Sequence, residues 1–332
     1  MPKYSVIVPV YNRPSEVQEL LSTLVNQTFR DFEVIIVEDG STLKSDSVVA
    51  EYQSKLSIAY FIKENEGQGF ARNYGFARAK GDYFIVFDSD CLIPSDYFQV
   101  VDRYLSSHTV DAFGGPDAAH PSFTVVQKAI NQTMTSFFTT GGIRGGASHV
   151  GKYHPRSFNM GFSRKVYEKT KGYIIPFMGE DMEFSTRLLK EGFQSVLIPE
   201  AYVFHKRRTS PTKFFKQLMY FGRARINLSR FHAGQVGLVH LFPLAFTLGL
   251  LVSFCLPVFF FDSLGFTGLI GYLFYLSIVF SESLMANKSL TVAALTPVMT
   301  LLQMTGYATG LVYEGIRKLM GIDPNTRYID LY

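Results

Sequence analysis

Cysteine is nearly absent from this 332-residue chain: Cys91 and Cys255 are the only two. That excludes a disulfide framework and a cysteine-based zinc site. Tryptophan is missing although Phe (31) and Tyr (19) are plentiful, so every large aromatic contact falls to those two types. Charge is missing locally. From Ala233 to Phe261 there is no Asp, Glu, Lys or Arg, and two further apolar runs follow, Leu264 to Phe280 and Leu290 to Val312. Each run is about 17 to 29 residues long, enough for a helix to cross a hydrocarbon core of roughly 30 Å. One such run could be a buried core helix; three in succession point to a membrane region. Met1-Pro2-Lys3 leads straight into a strand pattern with no leader-like segment, so the N-terminal domain is expected to stay in the cytoplasm.

Acid is missing between His205 and Gln235, where Lys206, Arg207, Arg208, Lys213, Lys216, Arg223, Arg225 and Arg230 alternate with aromatic and aliphatic residues. A basic, aromatic-rich helix beside a membrane span suits an anionic lipid surface. Nucleic-acid binding is the rival reading of such a stretch; the neighbouring apolar runs favour the membrane. The positive-inside rule then gives a multi-pass protein of the inner (cytoplasmic) membrane. The expected organisation is a domain over 1–204, a basic interfacial segment over 205–235, a membrane region over 236–316 and a tail over 317–332. The spans would cover 238–261, 264–281 and 290–313. Three crossings would carry the tail outside, whereas Arg317 and Lys318 favour the cytoplasmic side; a re-entrant or interfacial segment would reconcile the two.

The first hundred residues alternate strand and helix patterns. Apolar strands at Tyr4 to Val10, Phe32 to Val37, Ile58 to Ile62 and Tyr83 to Phe87 are separated by helical patterns at Pro14 to Gln27 and Gly67 to Ala79. Continuously apolar strands joined by helices predict an α/β fold with a mostly parallel sheet flanked by helices. Ligands in such sheets bind at the carboxyl ends of the strands. Those ends carry Tyr11-Asn12-Arg13, Glu38-Asp39 and Asp88-Ser89-Asp90. Two carboxylates one residue apart present hard oxygen ligands to a divalent cation, although Asp in a turn is the ordinary alternative. Farther on, a strand at Ser157 to Phe162 precedes a helix from Arg164, and Gly179-Glu180-Asp181 opens another helix. Acids there are also routine helix starts. The glycine-rich Gly141 to Gly146 reads equally as a substrate lid or a flexible connection.

Five short motifs occur in order: V-I-V-P-V-Y-N at Val6 to Asn12, V-E-D-G-S at Val37 to Ser41, N-E-G-Q-G-F-A-R-N-Y-G at Asn65 to Gly75, F-D-S-D at Phe87 to Asp90 and G-E-D at Gly179 to Asp181. With them the first 205 or so residues resemble the family 2 glycosyltransferases, inverting enzymes that use a nucleotide-diphosphate sugar. The resemblance implies the glycosyltransferase A-type fold and a Mg2+ or Mn2+ cofactor. It implies that Asp39 accepts a hydrogen bond from the nucleotide base, with Pro9, Tyr11, Asn12 and Glu38 around the same pocket. Arg72 and Asn73 would approach the nucleotide-sugar from the third helix, with Asp88 and Ser89 nearby. Asp90 would bind the metal, with Asp88 nearer the ribose or the cation. Asp181 would be the base that takes the acceptor proton, and Glu180 would orient the acceptor or support the helix start. A histidine at the place of His205 joins the metal or diphosphate in some relatives; a surface residue is the alternative. Asn159 would help to read sugar hydroxyls.

Gln217 and Arg223 to Arg225 only loosely match the Gln-x-x-Arg-Trp signature of processive polysaccharide synthases, and the chain has no Trp. The similar polyprenyl-phosphate sugar synthases lack a Glu-Asp pair, because a phosphate acceptor is already anionic. The pair here therefore favours a hydroxyl acceptor on a lipid-linked glycan, in cell-surface polysaccharide or glycoconjugate synthesis. A polyprenyl-phosphate glycosyl synthase is the alternative enzyme, and an inactive membrane scaffold subunit the alternative of another class.

Overall fold

The computed structural model describes residues 1–141, 153–259 and 263–322. The segment Gly142 to Gly146, the end of the first apolar run at 260–261 and the tail from 323, all singled out above, lie outside the described residues. In chain order the elements are β1 (Tyr4–Val10), α1 (Pro14–Val25), β2 (Phe32–Asp39), α2 (Asp46–Tyr52), β3 (Ile58–Lys63), α3 (Gln68–Phe76), β4 (Tyr83–Phe87) and β5 (Cys91–Leu92). There follow α4 (Tyr97–Ser107), β6 (Ala112–Gly114), β7 (Asp117–Ala118), α5 (Val125–Thr135), α6 (Phe137–Thr140), β8 (Asn159–Ser163), α7 (Arg164–Thr170) and α8 (Glu180–Lys190). The last are β9 (Ser195–Leu197), β10 (Val203–His205), α9 (Pro211–Leu228), α10 (Leu238–Phe259), α11 (Ser263–Asn287) and α12 (Leu290–Leu319). They form two units, Met1–His120 with Gly146–Lys206, and Pro121–Gly145 with Arg207–Tyr332.

The first unit holds a seven-stranded sheet in the order β3-β2-β1-β4-β8-β6-β9 and a three-stranded sheet in the order β5-β10-β7. The β3-β2-β1-β4 half is parallel, and β8 runs antiparallel to both β4 and β6. Successive side chains on a strand face opposite sides, and here both sides are covered. Val6, Val8 and Val10 pack with Val17, Leu20, Leu21 and Leu24 of α1, while Ile7, Ile35 and Val37 pack with Ala71 and Phe76 of α3. That two-sided burial is why the strands read as continuous apolar runs. Pro9 lacks an N–H for a ladder; β4 pairs with β1 only as far as Ile7, so Pro9 stands past that pairing.

The second unit is helical. Two of its helices are long and apolar enough to cross a membrane, Leu238–Pro257 and Phe266–Asn287. The third apolar run becomes part of the 30-residue α12, which lies against α9: a Cβ on Gly310 would sit 1.9 Å from the Met219 carbonyl oxygen. Such close backbone approach needs glycine. At one end of this pair the buried Glu314 carboxylate accepts from Arg223 at 3.2 Å and Arg230 at 3.1 Å, with Arg317 at 3.6 Å.

Candidate active site

The carboxyl ends of β1, β2 and β4 bring their polar residues to one edge of the sheet, and hydrogen bonds fix each. At the end of β2, Asp39 is turned onto the chain. Its Oδ1 accepts from the Glu66 N–H at 3.0 Å and from Lys63 Nζ at 2.9 Å, and its Oδ2 accepts from the Gly67 N–H at 2.8 Å. Burial opposes the Lys63 charge, yet Glu66 and Asp39 raise its pKa above the usual lysine range. Glu38, fully buried, accepts from the Ser45 N–H at 2.9 Å and from Tyr60 at 3.2 Å, and Ser41 donates to it as well. Asn12 adopts a left-handed φ of +54°, which Asn tolerates better than most residues. Its side-chain oxygen accepts from the Leu43 N–H at 2.8 Å and its own N–H donates to Ser41 at 2.9 Å. Tyr11 beside it is exposed.

Asp39 thus holds the Asn65-Glu66-Gly67 turn that starts α3. Gly67 has φ +95°, and a Cβ on Gly69 would meet the Ile175 carbonyl oxygen at 2.4 Å. Only glycine lets the Tyr173 to Gly179 segment lie this close to the helix start. The approach puts Gln68 and Arg72 of α3 beside Glu180 at the start of α8. Gln68 donates to Glu180 Oε1 at 2.5 Å, and Arg72 donates to the same oxygen at 2.9 Å. The other arm of Arg72 donates to Asp88 Oδ1 at 2.7 Å. Arg72 is 1% exposed, so it is no surface cation. Burial, then the neighbouring Asp181 carboxylate, push the Glu180 carboxyl up to about 7 against the pull of Arg72 and Gln68. Asp181 is half-buried, and its Oδ1 accepts from the Met182 N–H at 2.8 Å, which fixes the carboxylate at the helix start.

Asp90 is held differently. Its Oδ2 accepts from Arg13 at 3.0 Å and its Oδ1 lies 3.2 Å from His205 Nε2. Strand register delivers the histidine, because β10 pairs with β5 antiparallel and sets His205 opposite Cys91. Stacking on Phe158, centroids 4.9 Å apart, orients the ring. The ligand atoms of Asp90, Cys91 and His205 lie within 4.8 Å of one another. Cys91 is fully buried, its thiol donates to the Phe158 carbonyl at 3.5 Å, and burial followed by Asp90 and Asp88 pushes its pKa well up. With the thiol turned onto the Phe158 carbonyl, carboxylate and imidazole are the donors that suit a hard or borderline cation. That donor set fits Mn2+, which accepts nitrogen as well as oxygen, better than Mg2+. Asp88 is drawn toward Arg72, and Ser89 between the two acids is buried.

Two expectations change. Asn73 lies next to Arg72 but is not gathered with the acids: its amide donates to the Tyr173 carbonyl at 2.7 Å and its oxygen accepts from the Tyr173 N–H at 2.8 Å. It anchors the Tyr173 segment. Asn159 is fully buried, accepting from Tyr97 at 2.6 Å and donating to the Ala201 carbonyl at 2.7 Å. Its polar atoms are committed inside the domain, so it reads no sugar hydroxyl.

The model of Glycosyl transferase family 2 matches residues 5–171, half of the chain. The chain belongs to this family. Relatives of the chain include uncharacterised glycosyltransferases of Rickettsia. That of Rickettsia typhi is 42% identical over 25% of this chain and 26% of its own, and that of Rickettsia conorii 37% identical over 32% and 18%. The chain therefore spans about a quarter or less of the length of those relatives. A longer match is the dolichyl N-acetyl-α-D-glucosaminyl phosphate 3-β-D-2,3-diacetamido-2,3-dideoxy-β-D-glucuronosyltransferase of Methanococcus voltae, 25% identical over 74% of this chain and 79% of that one. Among solved structures, a mannosyltransferase of Pyrobaculum calidifontis in complex with GDP-Man and Mn2+ superposes with a TM-score of 0.59 at 17% identity. It covers 96% of this chain and 88% of that one, and so shares the fold.

Within this family 2 domain, sequence reasoning gave no role to Arg13, Lys63 or Gln68. Arg13 and Lys63 each close an ion pair with a motif acid, and Gln68 donates to Glu180. Arg13 directly follows the Tyr11-Asn12 strand end and Gln68 lies inside the Asn65 to Gly75 motif, so position was the signal available.

Proposed function

We propose that the chain is a membrane-anchored inverting glycosyltransferase. It moves a sugar from a nucleotide-diphosphate donor to a hydroxyl of a lipid-linked glycan, on the cytoplasmic side of the inner membrane. The observation that carries this reading is Arg72, whose two arms join Asp88 after β4 to Glu180 at the start of α8. One buried cation thus ties the strand-end acid pair to the helix that bears the candidate base. Asp181 takes the acceptor hydroxyl proton while that oxygen attacks the anomeric carbon from the face opposite the diphosphate. The glycosidic C–O bond to the diphosphate breaks as the new one forms, and its electron pair leaves with the phosphate oxygen. Asp90 and His205 would hold the divalent cation, with Asp88 beside them. When bound, the ion supplies charge neutralisation for the departing diphosphate. Glu180 and Arg72 orient Asp88 and the start of α8. Pro9, Tyr11, Asn12, Glu38 and Asp39 border the place for the nucleotide, Asp39 through the turn that it holds.

The acceptor class draws support from the Methanococcus voltae relative, whose name describes transfer to a sugar carried on dolichyl phosphate. Membrane anchoring draws support from the two apolar helices α10 and α11. Two crossings would return α12, with Arg317 and Lys318, to the cytoplasmic side, in line with the charge rule.

The test is incubation of the reconstituted protein with labelled nucleotide-sugars, with either a lipid-linked glycan or undecaprenyl phosphate alone. Product on undecaprenyl phosphate alone would overturn the hydroxyl acceptor. Unchanged transfer by Asp181→Asn would overturn the base.

A further inference from the structure

None of the residues given a part in that chemistry lies on the described helices of the insertion between β7 and β8. Those helices, α5 and α6, belong to the second unit and follow α11 through a ladder of side-chain hydrogen bonds. At the top, Gln127 donates to the Arg207 carbonyl at 2.9 Å and Asn131 accepts from the Arg207 guanidinium at 2.9 Å, in the basic stretch. Next, Gln132 accepts from Asn287 at 3.1 Å, and then Ser136 donates to Glu282. Last, Tyr275 donates to the Phe138 carbonyl at 3.1 Å. At 1.5 Å per residue, Glu282 and Tyr275 lie roughly 7 Å and 18 Å along α11 from Asn287. The chain from Gln132 to Phe138 therefore runs antiparallel to α11 and moves away from its Asn287 end.

Backbone at that depth in a bilayer must find its partners within the protein, and three N–H groups of this segment do. The Phe138 N–H donates to Ser136 Oγ at 3.1 Å, the Thr140 N–H to the Ser136 carbonyl at 3.0 Å, and the Gly141 N–H to the Phe137 carbonyl at 2.8 Å. Ser136 and Thr139 are buried with their hydroxyls bonded inward, whereas Phe137 and Phe138 are 68% and 48% exposed. Polar groups thus face the protein and two adjacent rings face out, the reverse of a water-facing loop. We infer that α6 is inserted in the hydrocarbon of the cytoplasmic leaflet, with Phe137 and Phe138 against lipid acyl chains. This rests on the reading of α11 as a membrane span.

The absence of tryptophan makes the test clean, because one introduced Trp is the only one. Phe137→Trp and Phe138→Trp are prepared in the full chain, with Phe274→Trp on the exposed side of α11 as reference, in nanodiscs of phosphatidylethanolamine and phosphatidylglycerol. The expected result is blue-shifted emission from both, lost when the acyl chains carry bromine and unaffected by aqueous iodide. Quenching by iodide would overturn the inference. So would shielding from both quenchers, since something other than lipid would then cover the pair. If Phe274→Trp also escapes bromine quenching, the membrane reading of α11 falls; if it alone is quenched, only the placement of α6 falls. Two positions guard against one variant failing to fold.

Discussion

The Arg72 guanidinium lies 2.9 Å from Glu180 Oε1 with both side chains out of contact with water, and its other arm reaches Asp88 at 2.7 Å. The fork of a guanidinium suits two carboxylates at once; an ammonium is a point charge. Breaking a buried pair leaves an uncompensated charge, at a cost of about 3–5 kcal/mol. Arg72→Met should therefore lower the thermal unfolding temperature and weaken nucleotide binding, and Arg72→Lys should restore only part of each. Differential scanning fluorimetry with and without UDP or GDP reads both effects; a stable Arg72→Met variant would show that the bridge is dispensable.

Glu180 links the site to pH. Its folded carboxyl titrates at about 7 against an ordinary 4.5, so the folded state holds a proton that the unfolded chain has released between those values. Its contribution is fully present below about pH 4.5 and is lost as pH rises through about 7. Glu180→Gln, which keeps the shape without the charge, should flatten the fall in stability over that window. An unchanged slope in urea or thermal unfolding from pH 5 to 8 would assign the dependence elsewhere.

Gly69 has no room for a methyl group, since the Ile175 carbonyl oxygen would stand 2.4 Å from it. Gly69→Ala should push the Tyr173 to Gly179 segment off α3, at a cost of about 1–3 kcal/mol typical of overpacking. The displacement carries Glu180 away from Gln68 and Arg72. Nucleotide binding by calorimetry should weaken along with stability, while Gly315→Ala, where nothing lies within 4 Å and φ is not positive, leaves both unchanged.

Metal removal supplies another check. Chelation by EDTA should abolish transfer, and restoration should be stronger with Mn2+ than with Mg2+ because one candidate ligand is an imidazole. His205→Ala should weaken Mn2+ binding by roughly tenfold or more while affecting Mg2+ less, in the range seen when support of a metal site is lost. Electron paramagnetic resonance of free Mn2+ measures this directly, and equal affinity in the variant would remove His205 from the ligand set.

Glu314 of α12 faces three guanidiniums. Glu314→Gln would leave those charges crowded without their shared partner, and should destabilise the α9–α12 pair by about 3–5 kcal/mol. The readout is earlier heat-induced release of α9 to protease; unchanged protection would mean that the packing near Gly310 suffices.

The parallel half of the sheet was legible because two-sided burial writes itself as apolar runs, and β1 to β4 lie where those runs lie. The strand-end acids were legible for the same reason: the polar residue that follows an apolar strand must stand at its edge. The small sheet β5-β10-β7 was not, since strands of two or three residues carry no period. The register that sets His205 opposite Cys91 therefore came only with the fold. Nor could spacing show that Asn73 and Asn159 turn inward, because an amide reads alike whether it meets a ligand or a backbone. The third apolar run looked like the other two, yet α12 buries one face on α9 through its small residues, a pairing that hydropathy does not record.

Local chemistry along the chain determined where strands end, which acids stand there, and where the backbone is apolar enough for a bilayer. The tertiary structure decided the partners: Arg72 with Asp88 and Glu180, His205 and Arg13 with Asp90, and Asp39 with the turn of α3. The physical reason is range. Burial and turn preferences act between neighbours in sequence, whereas a carboxylate accepts from whichever donor folding brings within 3 Å or so, and Glu180 finds Arg72 across 108 residues of chain.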